Sequence, residues 1–471
     1  MRQTIVINVV GLTSFLVGPE TPNLLQLTRE GAVRPLHTIT PAVTCSVQSS
    51  FLTGLLPREH GIVGNGWYFR DLSEIWFWRQ SNRLVSGEKL WEKGKKLNPS
   101  FTCANLFWWY NMYSTVDFSV TPRPLYLANG LKIPDCYTHP PELREELTNL
   151  FGTFPLFNFW GPGADITSSQ WIAKATLYIL RKYAPTLTLV YLPHLDYNLQ
   201  RLGPNHPAIA QDLRQIDKVC GEIIEYGKGN EFRVVVLSEY GITPVSNPVH
   251  INRLLRKAGF LKIRKELGRE LLDPGASKAF AVTDHQVAHI YVADQRNVAK
   301  VKTLIEELAG IEIVLDSTTK IHYALDHPRS GELVAFSNTD SWFTHYYWLD
   351  DDCCPDFART VDIHRKPGFD PVELFFDPTL SFPKLSIGWR LMKKKLGFRT
   401  LMDVIPLDAN LVKGSHGRIT NRDGEGPLFV SSQPDFLPEK AVEATEVKEL
   451  ILRHVFENER SPPQAAEYSA D

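Results

Sequence analysis

The sequence is poor in cysteine and in long apolar runs, and its charges almost cancel. Six cysteines are scattered over 471 residues without a CxxC pair, which favours free thiols in a reducing compartment over a disulfide framework. The formal net charge is −2, so nothing indicates a polyanion-binding surface, and no nucleic-acid polymer is expected as a partner. The apolar stretch Thr4–Val10 is too short to span a bilayer.

The start of the chain also bears on where the protein acts. Met1-Arg2-Gln3 leads directly into the apolar stretch and lacks the small-residue cleavage pattern of a signal peptide. That stretch is better interpreted as a buried first strand. We therefore expect a cytoplasmic protein with no membrane partner, whose oligomeric state the sequence does not indicate.

Short apolar, β-branched runs alternate with helical patterns, which predicts an α/β fold with a mainly parallel central sheet. Apolar residues with β-sheet propensity predict strands at Thr4–Val10, Leu187–Leu192, Arg233–Leu237 and Ala288–Val292. Helical periodicity and capping signals predict helices at Pro22–Glu30, Ala208–Tyr226, His250–Lys257 and Asn297–Ala309.

Two stretches interrupt this alternation. Residues from about 67 to 162 are rich in aromatic and turn residues, and residues from about 330 to 403 are irregular and contain several prolines. Insertions of this kind usually pack beside a core sheet or cover its active edge as a lid. We predict one domain over residues 1–456 with these two insertions, followed by a disordered tail at 457–471.

Polar side chains follow several predicted strands at the edge where sites of open α/β sheets gather. Asp196 and Gln200 come after the strand at 187–192, and Glu239 and Tyr240 come after the strand at 233–237. His416 lies in a late Gly-Ser-His-Gly segment. Residues of these types can act as metal ligands. Each of them, taken alone, is also explained as a helix cap or as a polar group with an ordinary hydrogen bond.

The segment that starts at Thr44 is the strongest candidate for a reaction centre. Thr44 directly precedes a predicted helix, which Gly54 and Pro57 close. A hydroxyl at a helix N-terminus lies at the positive end of the helix dipole, which suits an approaching phosphate. The alternative is that Thr44 merely caps the helix.

Two segments resemble the alkaline phosphatase superfamily, and the closer resemblance is to its nucleotide pyrophosphatase/phosphodiesterase branch. Residues 21–31 look like the early helix of these enzymes, and the Thr44 segment is similar to their nucleophile region. Thr53-Gly54, Pro57, His60-Gly61-Ile62 and Asn65 fall at the spacing of that branch. The resemblance implies a three-layer core, a covalent phospho-threonine intermediate at Thr44, a phosphoryl oxygen held by Asn65, and a structural role for His60.

Enzymes of this branch hold two zinc ions through seven protein ligands, and this sequence matches that set only in part. Asp196, His416 and Thr44 are identical, Glu239 and Gln200 are substitutes, and Tyr240 and Val10 depart from the pattern. The resemblance therefore implies a divalent metal ion, zinc before other metals, with one ion near Asp196 and His416 better supported than two. The implied metal residues are Asp196, Gln200, Glu239, Tyr240 and His416.

The resemblance implies a metal-dependent phosphoric ester hydrolase with a threonine nucleophile and a small phosphoester substrate. The alternative is a pseudoenzyme of the same fold that binds a phosphorylated or planar metabolite without hydrolysing it, because Val10 and Tyr240 weaken the metal site. A sulfatase or phosphoglycerate mutase relative is a third interpretation. The sulfatase motif CxPxR is absent after Cys45.

Two further clusters have open roles. The rings of Trp108, Trp109 and Tyr110 either stack on a planar group of the substrate or form the core of the first insertion. Arg365 and Lys366 either clamp a phosphate or make structural contacts.

Overall fold

A computed structural model of the protein describes residues 1–362, 365–380, 382–398, 400–420, 422 and 424–457. The predicted tail lies almost entirely outside this part of the chain. The α-helices are α1 Pro22–Glu30, α2 Thr44–Thr53, α3 Pro57–His60, α4 Leu90–Leu97, α5 Glu142–Phe151, α6 Ile166–Tyr183, α7 His194–Leu202, α8 Ile209–Gly229, α9 Ile251–Lys257, α10 Val298–Glu306, α11 Pro383–Lys395 and α12 Val447–Phe456.

The strands are mostly short, and the longest have six residues. In chain order they are β1 Thr4–Val9, β2 Ala32–His37, β3 Gly66–Phe69, β4 Glu74–Phe77, β5 Cys103–Leu106, β6 Phe118–Pro122, β7 Leu125–Tyr126, β8 Lys132–Ile133, β9 Cys136–His139, β10 Leu187–Leu192, β11 Arg233–Leu237, β12 Thr243–Pro244, β13 Asn247–Val249, β14 Ile263–Glu266, β15 Arg269–Leu272, β16 Ala279–Asp284, β17 Val287–Val292, β18 Ile311–Leu315, β19 Leu333–Ser337, β20 Ser341–Phe343, β21 Gly414–Ser415, β22 Leu428–Ser431 and β23 Val442–Glu443.

The main sheet has the strand order β23-β2-β22-β11-β1-β10-β5-β6-β9 within the described residues. Strands β11, β1, β10, β5 and β6 run parallel to one another, whereas β22 and β9 are antiparallel to their neighbours on this central block. Every residue of β1, β10 and β11 is buried. Burial on both faces explains why these strands are continuous apolar runs without polar alternation.

Helices cover both faces of this sheet. Helices α6, α7 and α8 pack on one another, and α6 and α8 contact β10, β11 and β1. Helix α12 contacts α2, α4 and β1. The protein therefore has the predicted three-layer α/β architecture. The predicted strands at the start of the chain, at 187–192 and at 233–237 are confirmed, as is the helix Pro22–Glu30.

The fourth predicted strand, Ala288–Val292, is not part of the main sheet. It is observed as β17, in a separate antiparallel sheet with the order β16-β17-β19-β18. Its apolar composition predicted a strand but not its partners, because the partners of a strand depend on distant segments. Conversely, the stretch predicted as the first insertion contributes β5, β6 and β9 to the main sheet. The limits of the two insertions remain a prediction.

The six cysteines are all unpaired in the structure, in agreement with the predicted free thiols. None of the described helices combines the length and the apolar composition that crossing a bilayer requires. The compartment remains a prediction.

Candidate active site

Three adjacent parallel strands bring the predicted site residues to one edge of the sheet. Strand β1 lies between β10 and β11, so the segments that follow the carboxyl ends of these strands meet there. The chain after β10 turns into α7, which carries Asp196 and Gln200. The chain after β11 carries Glu239 and Tyr240. All four side chains are buried.

Thr44 is the first residue of α2, as the sequence predicted for the helix start. The side chain of Asn65 lies at the same helix end, because its Oδ1 accepts a hydrogen bond from the backbone N of Cys45 at 2.9 Å. Asp284 fixes Asn65 in turn, accepting from its backbone N at 2.7 Å and from its Nδ2 at 3.0 Å. The side-chain amide nitrogen carries two hydrogens, and Asp284 accepts one of them.

Tyr240 links Thr44 to Asp196. The hydroxyl groups of Thr44 and Tyr240 lie 3.0 Å apart, and the Tyr240 hydroxyl lies 3.5 Å from Asp196 Oδ1. Gln200 donates from Nε2 to Asp196 Oδ2 at 2.7 Å. Burial raises the pKa of Asp196 to about 7, partly offset by the hydrogen bonds from Gln200 and Tyr240. Burial also raises the pKa of Tyr240 well above its usual value, so its phenol stays protonated.

Glu239 is held by two amides rather than by a cation. Asn8 Nδ2 and Gln48 Nε2 donate to its Oε1 at 2.6 Å and 2.5 Å. Burial raises the pKa of Glu239 to about 8, although these hydrogen bonds oppose the shift. Asn8 lies in β1, two residues before Val10, and its hydrogen bond to Glu239 brings it into the site, whereas Val10 is an apolar core residue.

His416 reaches the site through the late strand β21, which pairs with β12 just after Tyr240. A side chain at Gly414 would meet the carbonyl oxygen of Leu199 at 2.0 Å, so only glycine lets β21 lie this close to α7. His416 Nδ1 donates to the carbonyl oxygen of Ala42 at 2.9 Å, which leaves the lone pair on Nε2. Burial lowers the pKa of His416 to about 3, so the ring is neutral.

Aromatic rings stack around His416. The Tyr240 ring lies parallel to it with centroids 3.8 Å apart, and the ring of His285 lies 3.9 Å away on a tilted plane. A small pocket of about 30 Å³ runs between these rings and Thr44. That volume admits water. Its outer wall is aromatic and consists of Trp78, Trp109, Phe159, Trp160, Tyr191 and Tyr197.

The donor set does not reproduce a two-zinc centre. No group of three or more His, Cys, Asp or Glu side chains is placed to hold a metal ion within the described part of the chain. The Val10 side chain has no donor atom, and Gln200 offers only a neutral amide oxygen, which is a weaker ligand than a carboxylate or an imidazole. Neutral Tyr240 is likewise a poor ligand.

A single cation fits this chemistry better. Asp196 and Glu239 are buried without a Lys or Arg partner among the described residues, and Glu239 Oε2 has no hydrogen-bond partner there. Buried acidic groups with raised pKa values are typical of sites that accept positive charge. Neutral His416, with its Nδ1–H on a backbone carbonyl, has the arrangement usual for a metal ligand.

Other predicted features take structural positions. His60 is fully buried, with Nε2 3.0 Å from Ser50 Oγ and Nδ1 accepting from Ile62 N, which fits the structural role implied for it. Trp108, Trp109 and Tyr110 are all buried, and of these only Trp109 lines the pocket. These positions favour the core interpretation for Trp108 and Tyr110.

Sequence reasoning missed residues that contact the site directly. Asp284 and His285 come from the β16–β17 hairpin, and Gln48 comes from the first turns of α2. In the sequence, an Asp-His pair next to a predicted strand is explained more simply by surface exposure or structural hydrogen bonds than by a role in a site. Its proximity to Asn65 and His416 depends on the second sheet, which no local pattern predicts.

The profile of the type I phosphodiesterase / nucleotide pyrophosphatase family matches residues 4–370. The chain belongs to this family. A pyrophosphatase/phosphodiesterase of Schizosaccharomyces pombe, itself uncharacterized, is 26% identical over 262 residues, which cover 53% of this chain and 46% of that protein. The chain thus spans about half the length of the curated relative it matches. Family membership gives no support to the alternative of a binding protein without hydrolytic activity.

Solved structures share the fold at low identity. Phosphonoacetate hydrolase of Sinorhizobium meliloti 1021, in complex with phosphonoformate, has a TM-score of 0.59 at 14% identity, with 96% of both chains covered. Murine ectonucleotide pyrophosphatase / phosphodiesterase 5 has a TM-score of 0.58 at 13% identity, with 96% of this chain and 95% of that chain covered. Identities this low support the shared architecture and nothing finer.

Proposed function

We propose that this protein hydrolyses small phosphodiesters or pyrophosphates with Thr44 as the nucleophile. The observation that carries the proposal is the position of the Thr44 hydroxyl, which lies at the N-terminus of α2 beside the amide of Asn65 and within the pocket. Backbone N–H groups at that helix end attract the negative phosphoryl oxygens. Membership of a phosphodiesterase/pyrophosphatase family supports the same reaction class.

The reaction has two displacements. Thr44 Oγ1 attacks phosphorus, the P–O bond to the leaving group breaks, and the leaving oxygen takes up a proton from solvent and departs as an alcohol or as the second phosphate. The Tyr240 hydroxyl, 3.0 Å from that of Thr44, holds Oγ1 in place through a hydrogen bond, and the proton of Thr44 is lost to solvent as the new P–O bond forms. Water then attacks the phospho-threonine and regenerates Thr44. Asn65 Nδ2 stabilises an equatorial oxygen in both steps.

We retain one divalent cation as the expected cofactor, zinc before others, with Asp196 and His416 as the residues that would hold it. Glu239, Gln200 and Tyr240 are neighbours of that position and not full ligands in the proposed arrangement. When bound, such an ion would supply positive charge that favours the anionic substrate and the developing charge on it.

The test is hydrolysis of an aryl phosphodiester by the purified protein with zinc, with manganese, and after treatment with a chelator. We expect turnover that needs a divalent ion and returns when the ion is restored. Turnover that survives chelation would remove the cation from the proposal and leave the Thr44 chemistry. No turnover with any ion, from a folded protein and across aryl phosphodiesters and dinucleotide pyrophosphates, would contradict the proposal.

Asn65 supplies a second prediction. Asn65→Ala removes the donor beside Thr44, and we expect kcat to fall about 10²–10³-fold, as when an oxyanion donor is deleted. Asp284→Asn keeps only one of the two acceptors that hold Asn65, so a smaller loss in kcat is expected with KM little changed. Equal kcat values for the wild type and Asn65→Ala would exclude this role.

A further inference from the structure

Helix α11 carries a row of apolar side chains that nothing in the described structure covers. Leu385, Trp389 and Met392 follow one another at i, i+4 and i+7, which places them on one face of the helix. Large apolar residues of this segment are 45–71% exposed: Phe382, Leu385, Trp389, Leu391, Met392, Leu396, Phe398 and Leu401. Single exposed apolar residues are normal, but a contiguous patch of this kind marks an interaction surface.

The segment leaves and rejoins the domain at one place. Asp377 N donates to the carbonyl oxygen of Val404 at 2.8 Å, so the chain between them forms an arm attached at its base. Within this arm Arg390 Nε donates to Asp403 Oδ1 at 2.8 Å, and the Lys393 ammonium lies 5.3 Å from the centre of the Trp389 ring. We call residues 378–403 the basic arm.

The basic arm carries an excess of positive charge. Residues 378–402 contain no Asp or Glu, and the acidic Asp377 and Asp403 stand only at its two ends. The basic residues of this stretch are Lys384, Arg390, Lys393, Lys394, Lys395 and Arg399. The whole protein carries a formal net charge of only −2, so this excess of positive charge is local.

We propose that the basic arm docks on the surface of an anionic lipid bilayer. Leu385, Trp389 and Met392 would enter the boundary between headgroups and acyl chains, and the cationic side chains would pair with lipid phosphates. Amphipathic helices that lie in a membrane interface combine the same features: Trp, Phe and Leu on one face and Lys or Arg beside it. The helix has 13 residues, which suits lying on a bilayer and not crossing it.

The same charges argue against a second copy of this chain as the occupant. Two basic arms brought face to face would place like charges together, and Asp403, the one acidic residue of each arm, is already bonded to Arg390 of its own arm. An anionic bilayer offers both the apolar layer and the complementary charge. The proposal departs from the expectation, drawn from the sequence, that the protein has no membrane partner. It does not depend on the proposed hydrolysis.

The test is flotation of the full-length protein with vesicles of phosphatidylcholine alone and with vesicles containing about one-third phosphatidylglycerol. We expect binding to the anionic vesicles that is at least tenfold stronger than to the neutral ones and that weakens at high salt. Equal binding to both vesicles, or binding to neither, would overturn the proposal.

Variants assign the binding to the arm. Leu385→Ser/Trp389→Ser/Met392→Ser and, separately, Lys393→Glu/Lys394→Glu/Lys395→Glu should each reduce anionic-vesicle binding at least tenfold. The matched control is Leu72→Ser/Leu150→Ser/Leu267→Ser, which replaces three exposed apolar residues outside the arm. This variant should bind anionic vesicles as strongly as the wild type does.

Self-association is the competing outcome. Light scattering of the wild type and of the apolar arm variant measures their masses in solution. A wild-type oligomer that becomes a monomer in that variant would show that the arm joins copies of this chain, and would overturn the lipid proposal. Unchanged melting temperatures would show that the substitutions act at the surface, because these side chains are exposed.

Discussion

Thr44→Ala is expected to lower phosphodiester turnover by at least about 10³-fold, because removal of a nucleophile leaves only the binding and charge contributions of the site. The hydroxyl of Thr44 is the group at the N-terminus of α2 that also contacts Tyr240 at 3.0 Å. Single-turnover kinetics and recovery of a phosphorylated Thr44 peptide after acid quenching measure the loss directly.

Two controls separate chemistry from folding in this experiment. Thr44→Ser keeps a hydroxyl and should retain measurable turnover, whereas Thr44→Val keeps the shape without the hydroxyl and should match Thr44→Ala. Thr44 is buried, so each variant is compared with the wild type by thermal unfolding. If folded Thr44→Ala hydrolysed the substrate at the wild-type rate, the nucleophile would be water or another residue and not Thr44.

The elements that lead to the site were predictable because their signals are local. Strands β1, β10 and β11 are buried on both faces, so each is an apolar run that ends where a polar segment begins. Thr44 and Gly54 mark the two ends of α2 in the sequence, and Gly54 adopts the left-handed conformation that such a helix end requires.

The interior of the site was not predictable in the same way. Glu239 is held by Asn8 and Gln48, which stand 231 and 191 positions away along the chain. Asn65 is held by Asp284 from the second sheet, 219 positions away. Contacts between residues this far apart in the sequence depend on how whole sheets pack. The periodicity of a short stretch of sequence does not predict them.

The basic run at 390–395 shows a different limit of prediction from the sequence. Its sequence indicates a solvated helix face, and Arg390 and Lys393 are partly exposed in the structure. What the sequence does not reveal is that the apolar residues interleaved with the charges are exposed as well. An apolar stripe at helical spacing is normally core, and only the absence of a covering element in the described structure makes it a candidate surface.

Lys366→Met is expected to lower the free energy of unfolding by about 3–5 kcal/mol, because it leaves a buried carboxylate without its partner. Lys366 Nζ lies 2.6 Å from Glu373 Oε1, and both side chains are only 2% exposed. Trp160, a wall of the pocket, donates from Nε1 to Glu373 Oε2 at 3.1 Å. The ion pair therefore supports the aromatic wall, and Lys366 is not available to clamp a phosphate.

Urea denaturation with matched m-values measures this loss. Lys366→Met/Glu373→Gln removes the orphaned charge but keeps an acceptor for Trp160, so at least half of the lost stability should return.

Arg365→Met, at the neighbouring position, is the control. The Arg365 side chain is 65% exposed and lies 3.8 Å from Asp362, so the free energy of unfolding should change by less than about 0.5 kcal/mol. Wild-type stability in Lys366→Met would mean that the buried pair is dispensable. Lost turnover in Arg365→Met, at unchanged stability, would restore a phosphate-binding role for that residue.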